Sequence, residues 1–161
     1  MTKTPLQFTL NGKETAVFVD GGANLLDVLR RVVGDLSPKY GCGQGTCGTC
    51  TVLVDGEPQL SCLTLAQSIS GHSLETLNGL ANGAKLHPLQ RTFMEGFAAQ
   101  CGYCTPGMIM AAKALLAKNP NPTREEVIES ISGNICRCTG YEPIIDAVLQ
   151  AATEMRSGRV A

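Results

Sequence analysis

Residues 40–50 read Tyr40-Gly41-Cys42-Gly43-Gln44-Gly45-Thr46-Cys47-Gly48-Thr49-Cys50, and the rest of the chain is organised around them. Three cysteines fall within nine residues, with four glycines interleaved. A run this rich in Gly makes neither a core strand nor a helix interior, because Gly costs backbone entropy and packs nothing. It can wrap closely around a bound group, with several N–H donors turned inward. The spacing is C-x4-C-x2-C, and Cys62 follows after eleven intervening residues. That is the plant-type ligand pattern for a [2Fe–2S] cluster.

The segments on either side predict a small mixed sheet. Leu6, Phe8 and Leu10 alternate with polar residues, Asn11-Gly12 follows, and Ala16 to Val19 is again β-prone. Asn-Gly between two such runs signals a hairpin, since both residues accept positive φ. Leu25, Leu26, Leu29, Val32 and Val33 form one apolar helical stripe, with Asn24 as N-cap and Gly34 as C′. Arg30-Arg31 reads as the solvated face of that helix. Beyond the loop, Thr51–Val54 is a strand, Asp55-Gly56 turns it back, and the return delivers Cys62 to the other three cysteines. Ser73 to Leu77 supplies a closing strand.

From Asn78 to Lys85 the chain is small and polar, a linker composition. The strand signals then stop and four helices are predicted. Pro88 to Ala99 carries Leu89, Phe93, Met94 and Phe97 at helical spacing. Thr105-Pro106 caps a helix running to Lys118, with Met108 and Met110 in the bundle core. Thr123 and Glu126 form a capping box before Val127, Ile128 and Ile131, which make the buried side. Pro143 to Met155 closes the bundle with Ile144, Ile145, Val148, Leu149 and Ala152 inside. Residues 157–161 read as a loose tail.

A second set of four cysteines lies in this half. Cys101 and Cys104 sit between the first two bundle helices, Cys136 and Cys138 between the last two. Antiparallel packing brings both connections to one end of the bundle, where the four thiolates converge. Zinc and a second iron–sulfur cluster both suit four thiolates. The C-x-C pair is tighter than the C-x2–4-C knuckles of structural zinc, which favours iron–sulfur without excluding zinc. Disulfides are disfavoured, because Met1 to Gln7 has no secretory character and eight cysteines in the cytoplasm read as metal ligands. His72 and His87 are not needed as ligands, since each would displace a cysteine from a complete set; a cap or surface role suffices for His87.

Composition narrows the function. The 161 residues are 43% hydrophobic and 17% charged, with net charge -1, so a disordered chain and a basic nucleic-acid-binding face are both excluded. No apolar run approaches a membrane span. Gly41-x-Gly43-x-Gly45 lacks the strand–turn–helix setting of a dinucleotide loop. There is no catalytic triad or paired-carboxylate constellation, so substrate chemistry belongs on a partner. A fully thiolate-ligated cluster has no open position for substrate and moves electrons one at a time. Two in one short chain suggest a wire.

Three segments carry a resemblance: YGCGQGTCGTCTVLVDG with Cys62, QCGYCTPGMIMAAKALL, and GNICRCTGYEPIIDAV. Together they resemble the small iron–sulfur subunit of the xanthine oxidase, or molybdenum hydroxylase, family, over residues 5–155. The one departure is Thr49, where the family often has Ala; it is expected not to touch a ligand. The resemblance implies an α+β fold, with an N-terminal β-grasp, plant-ferredoxin-like domain (1–78), a linker (79–86) and a C-terminal four-helix bundle (87–161). It implies that Cys101, Cys104, Cys136 and Cys138 hold a buried [2Fe–2S] cluster beside a molybdopterin cofactor bound mainly by a large subunit, with Gln100 and Cys138 touching that cofactor. Cys42, Cys47, Cys50 and Cys62 would hold the more exposed cluster, facing an acceptor such as FAD on a medium subunit. The alternatives are a free-standing ferredoxin-like carrier, which would need only the first domain, and a zinc-stabilised interaction module.

Overall fold

In the computed structural model, residues 3–158 are described. Met1, Thr2 and the tail at 159–161 lie outside them. Strands β1 (Lys3–Leu10) and β2 (Lys13–Asp20) pair antiparallel from Lys3↔Asp20 to Leu10↔Lys13. Leu6 and Phe8 point inward and are buried, while Gln7 between them is exposed. Asn11 and Gly12 make the turn at φ 50° and 78°, the left-handed pair that a two-residue hairpin requires.

Asn24 caps the next helix, its Oδ1 accepting the Asp27 N–H at 2.8 Å. The helix is not regular: α1 (Leu25–Asp27) runs on as a π-helical segment, Val28–Val33, ended by Gly34 at φ 85°. The wider turn rotates the apolar stripe. Val28 joins Leu25, Leu26 and Leu29 inside, and Val32, expected inside, is 50% exposed. Arg30 also departs from expectation. It donates from Nη1 to the carbonyls of Leu36 and Pro38 at 3.1 and 2.8 Å, holding the approach to the cysteine loop. Arg31 stays on the surface beside Asp27.

Strands β3 (Thr51–Val54), β4 (Glu57–Leu60) and β5 (Ser73–Glu75) complete a five-stranded sheet of order β2-β1-β5-β3-β4. The β1–β5 pair is parallel and the others antiparallel. Helix α1 crosses this mixed sheet and packs on Leu6, Phe8, Val52 and Leu74, the β-grasp arrangement.

The second half is a bundle of α2 (Pro88–Glu95), α3 (Thr105–Lys118), α4 (Arg124–Ile131) and α5 (Glu142–Arg156). The predicted capping box of Thr123 with Glu126 forms, and the structure adds a second, His87 with Gln90. Helix α2 ends at Glu95, before the predicted Ala99, because Phe97 takes φ 52°. Met94 and Phe97 are consequently 67% and 82% exposed instead of joining Leu89 and Phe93 in the core. Ile128 is likewise 45% exposed. Helix α3 begins at Thr105 itself, with Cys104 in the cap position.

Helix α3 is buried on nearly all sides, as a helix apolar all round must be. Met108 and Ile109 face the bundle. Met110, predicted there too, turns with Ala114 onto Leu53 of β3. Lys113–Glu75 at 2.6 Å and Lys118–Glu57 at 2.7 Å flank this contact. The connection between the halves is tied at its start. Buried Asp35 accepts from Thr76 Oγ1 at 2.6 Å and from Asn78 Nδ2 at 2.7 Å. Among the described residues no helix is long and apolar enough to cross a membrane.

Candidate metal centres

The glycines of the first loop let it curl around Cys42. Gly43, Gly45 and Gly48 have φ of 67°, 79° and 69°, a conformation L side chains rarely adopt. The curl turns two backbone N–H groups onto one sulfur: those of Gln44 and Thr46 donate to Cys42 Sγ at 3.4 and 3.3 Å. The Gln44 N–H foremost, then the Thr46 side chain and N–H, lower the Cys42 thiol to about 6. Strand β4 brings Cys62 back as expected. Burial, aided by the neighbouring Cys50 thiol, raises Cys62 to about 11.

The second set forms where the α2–α3 and α4–α5 connections meet. Cys138 Sγ lies 3.6 Å from Cys101 Sγ, and that neighbour raises the Cys138 thiol. Burial and the adjacent Cys136 raise Cys104 to about 12. For Cys136 burial also acts upward, but the Thr139 hydroxyl and N–H outweigh it and the thiol is lowered. Thr139 Oγ1 is 3.1 Å from Cys136 Sγ.

Within each set the thiols neighbour one another: Cys42 with Cys47, Cys50 with Cys62, Cys101 with Cys138, and Cys104 with Cys136. Two pairs per set suit a two-iron cluster, in which each iron takes two thiolates and the irons share sulfide. Thr105 Oγ1, beside Cys104, is buried with no partner among the described protein atoms, a donor available to such a group. The histidines stand apart. His72 Nδ1 is 2.5 Å from Asp55 Oδ2, and His87 Nδ1 accepts the Leu89 N–H at 3.2 Å.

The two sets are pressed together by backbone. The Ile135 N–H donates to the Cys47 carbonyl at 2.9 Å, so one hydrogen bond and one peptide separate the chain at Cys47 from Cys136. Buried Asn134 donates from Nδ2 to the Gly48 carbonyl at 2.9 Å. A Cβ at Gly48 would meet Asn134 Nδ2 and the Gly133 carbonyl, each at 2.6 Å, and one at Gly107 would collide with the Gly48 carbonyl. The Tyr141 hydroxyl accepts the Cys136 N–H at 3.0 Å and so holds the second loop from behind. Neither Asn134 nor Tyr141 is singled out by local sequence pattern. Their placement inside the GNICRCTGY segment was the available signal.

One expectation is corrected. Thr49 was not expected to touch a ligand position, yet its Oγ1 lies 3.3 Å from Cys47 Sγ. In the second set Cys104 and Cys136 are buried, while Cys101 and Cys138 are exposed in the isolated chain; no cysteine of the first set is exposed to that degree. Gln100, on the same loop as Cys101, is exposed as well.

Fold and thiol pairs together define a two-cluster [2Fe–2S] protein, a ferredoxin-like module joined to a helical one. Two family models match in tandem: a 2Fe-2S iron-sulfur cluster binding domain over residues 8–75 and a [2Fe-2S] binding domain over 76–149. The chain is 47% identical over 151 residues to the nicotinate dehydrogenase small FeS subunit of Eubacterium barkeri, covering 94% of this chain and 96% of the relative. It is 48% identical over 149 residues to the nicotine 6-hydroxylase small subunit of Paenarthrobacter nicotinovorans, covering 92% and 90%. The crystal structure of quinoline 2-oxidoreductase from Pseudomonas putida 86 contains a chain that superposes with a TM-score of 0.93 at 49% identity, covering 97% of this chain and 98% of that one. The chain belongs to the xanthine oxidase, or molybdenum hydroxylase, family, among its small [2Fe–2S] subunits.

Proposed function

We propose that this chain is the electron-transfer subunit of a molybdenum hydroxylase or dehydrogenase complex, taking electrons from a molybdopterin site on a large subunit and passing them to FAD on a medium subunit. Cys101, Cys104, Cys136 and Cys138 hold the cluster at the entry, and Cys42, Cys47, Cys50 and Cys62 the cluster at the exit. Bound at these thiols, a [2Fe–2S] cluster supplies one-electron chemistry with no open position for substrate. Residues 1–78 and 87–161 are the two modules, joined by 79–86.

The observation that carries this reading is the exposure of Cys101 and Cys138 at the end of the bundle. A cluster there has half its thiolates open to water in the isolated chain, and Gln100, Phe97 and Tyr103 are exposed on the same connection. A large subunit seated on this face would exclude water and bring its cofactor against Gln100 and Cys138. The hydrogen bond from Ile135 to the Cys47 carbonyl then joins entry to exit through the backbone. Recognition of the organic substrate rests with the large subunit.

Native purification tests this. The chain should bring down a large molybdenum-containing subunit, and the reduced complex should give two distinct [2Fe–2S] EPR signals. Cys138→Ser should disturb the signal of the cluster nearer molybdenum and slow turnover. Zinc without iron, a monomer fully competent as a soluble carrier, or an unaltered proximal signal in Cys138→Ser would overturn the proposal.

A further inference from the structure

We propose that the Thr49 hydroxyl raises the reduction potential of the first cluster by donating a hydrogen bond to the Cys47 thiolate. The inference rests on the reading of Cys47 as a ligand.

Thr49 is buried and held from three directions. Its backbone carbonyl accepts the Lys39 N–H at 3.1 Å. Its Oγ1 lies 3.2 Å from the Lys39 carbonyl and 3.3 Å from Cys47 Sγ. The chain leaves room for this contact at Gly41, where an added Cβ would come within 2.6 Å of Thr49 Oγ1 and 2.7 Å of Cys47 Sγ. A side chain at position 41 would therefore drive the hydroxyl from the sulfur.

The direction of the bond follows from the chemistry of the ligand. A metal-bound Cys47 is a thiolate with no proton to give, so the hydroxyl is the donor. It has one proton and two acceptors, a carbonyl and a charged sulfur at nearly equal distance. Hydrogen bonds to ionised acceptors are the stronger ones. Reduction adds negative charge to the cluster and its thiolates, so the bond strengthens in the reduced state. A donor that favours the reduced state over the oxidised one raises the potential, the same lever that backbone donors to cluster sulfurs apply. The Gln44 and Thr46 N–H groups act on Cys42; Thr49 acts on the other thiolate of that pair. A higher potential at the exit favours transfer from the second cluster to the first.

The test is a redox titration followed by EPR on the cluster-loaded full chain, in its native complex where partners copurify. Wild type, Thr49→Val, Thr49→Ser and Thr49→Ala are compared. Val keeps the size of Thr without the hydroxyl, and Ser keeps the hydroxyl. At the wild-type midpoint of the first cluster, Thr49→Val should lower its reduced-to-oxidised ratio by up to about tenfold, which for one electron is about 59 mV. Thr49→Ser should return toward wild type, and the second cluster should not move. Iron and sulfide content identifies a variant that fails to assemble; Thr49→Ala then carries the comparison. Equal midpoints in Val and wild type, or a Ser midpoint displaced as far as Val, would overturn the inference while leaving the ligand reading intact. Absence of the first-cluster signal from wild type would overturn both.

Discussion

Substituting Gly107 by Ala tests whether the two modules are locked by backbone contact. Within a helix this change ordinarily stabilises, by about 1 kcal/mol. Here the added methyl would collide with the Gly48 carbonyl oxygen and stand 3.1 Å from Asn134 Nδ2. That carbonyl cannot step aside cheaply. It accepts from the Thr51 N–H at 3.1 Å, Thr51 Oγ1 at 2.7 Å and Asn134 Nδ2 at 2.9 Å. Overpacking against a fixed group costs about 1–3 kcal/mol. Displacing the seam weakens two hydrogen bonds, those of Asn134 to Gly48 and of Ile135 to Cys47, each worth about 1 kcal/mol. Set against the helix gain, the net loss is about 2–4 kcal/mol. In a domain of this size that is a fall of roughly 4–16 °C in Tm, at about 2–4 °C per kcal/mol. Thermal unfolding followed by circular dichroism measures it. Gly133→Ala is the control, because a Cβ there meets nothing within 4 Å. A Gly107→Ala protein as stable as wild type, or about 1 kcal/mol more so, would falsify the steric argument and show that the seam yields.

Two further outcomes follow from the same geometry. Asn134→Ala should cost about 1–2 kcal/mol, one net hydrogen bond and some packing, because Thr51 still satisfies the Gly48 carbonyl; Asn134→Asp should cost more in urea unfolding, since it sets a carboxylate against that carbonyl, and the reverse order would contradict the assigned contact. His87 caps α2 as a neutral acceptor, and burial, with Lys113 nearby, depresses its pKa below the usual 6.5. The unfolded chain then binds more protons between that depressed value and about 6.5, so this contribution is complete above about 6.5 and is lost as pH falls through the window. His87→Asn keeps a capping oxygen and should flatten that part of the stability–pH curve; an unchanged slope would refute the assignment.

What could be read in the sequence was whatever follows from local rules. Asn11-Gly12 and Asp55-Gly56 declare their hairpins because few residue pairs accept two positive φ angles in succession. The Thr123–Glu126 capping box and the cysteine spacings are equally local. The misreadings share a different cause. Val32, Met94, Phe97 and Ile128 lie on apolar patterns that ideal helical periodicity sends inward, and the structure sends them out. A π-helical segment displaces Val32 and an early left-handed turn displaces Phe97; neither leaves a periodic trace in the residues themselves. The contact of Thr49 with Cys47 escaped notice because it depends on a space that only the folded loop, with Gly41 at its edge, creates.

The seam between the modules was the least legible part, and its composition explains why. Apolar pattern marks surfaces that bury side chains, and it found the two cores and much of α3. The ties between the two cysteine-bearing loops are instead built from carbonyls, N–H groups, two glycines, the Asn134 amide and the Tyr103 hydroxyl, which donates to the Tyr40 carbonyl at 2.6 Å; these polar groups leave no hydrophobic signature. Such a contact suits an electron path better than a side-chain interface would. Packed side chains can change rotamer and let two loops drift, whereas a backbone hydrogen bond between Ile135 and Cys47 ties the loops at fixed atoms. Gly107 and Gly48 permit that approach, and Asn134 holds it.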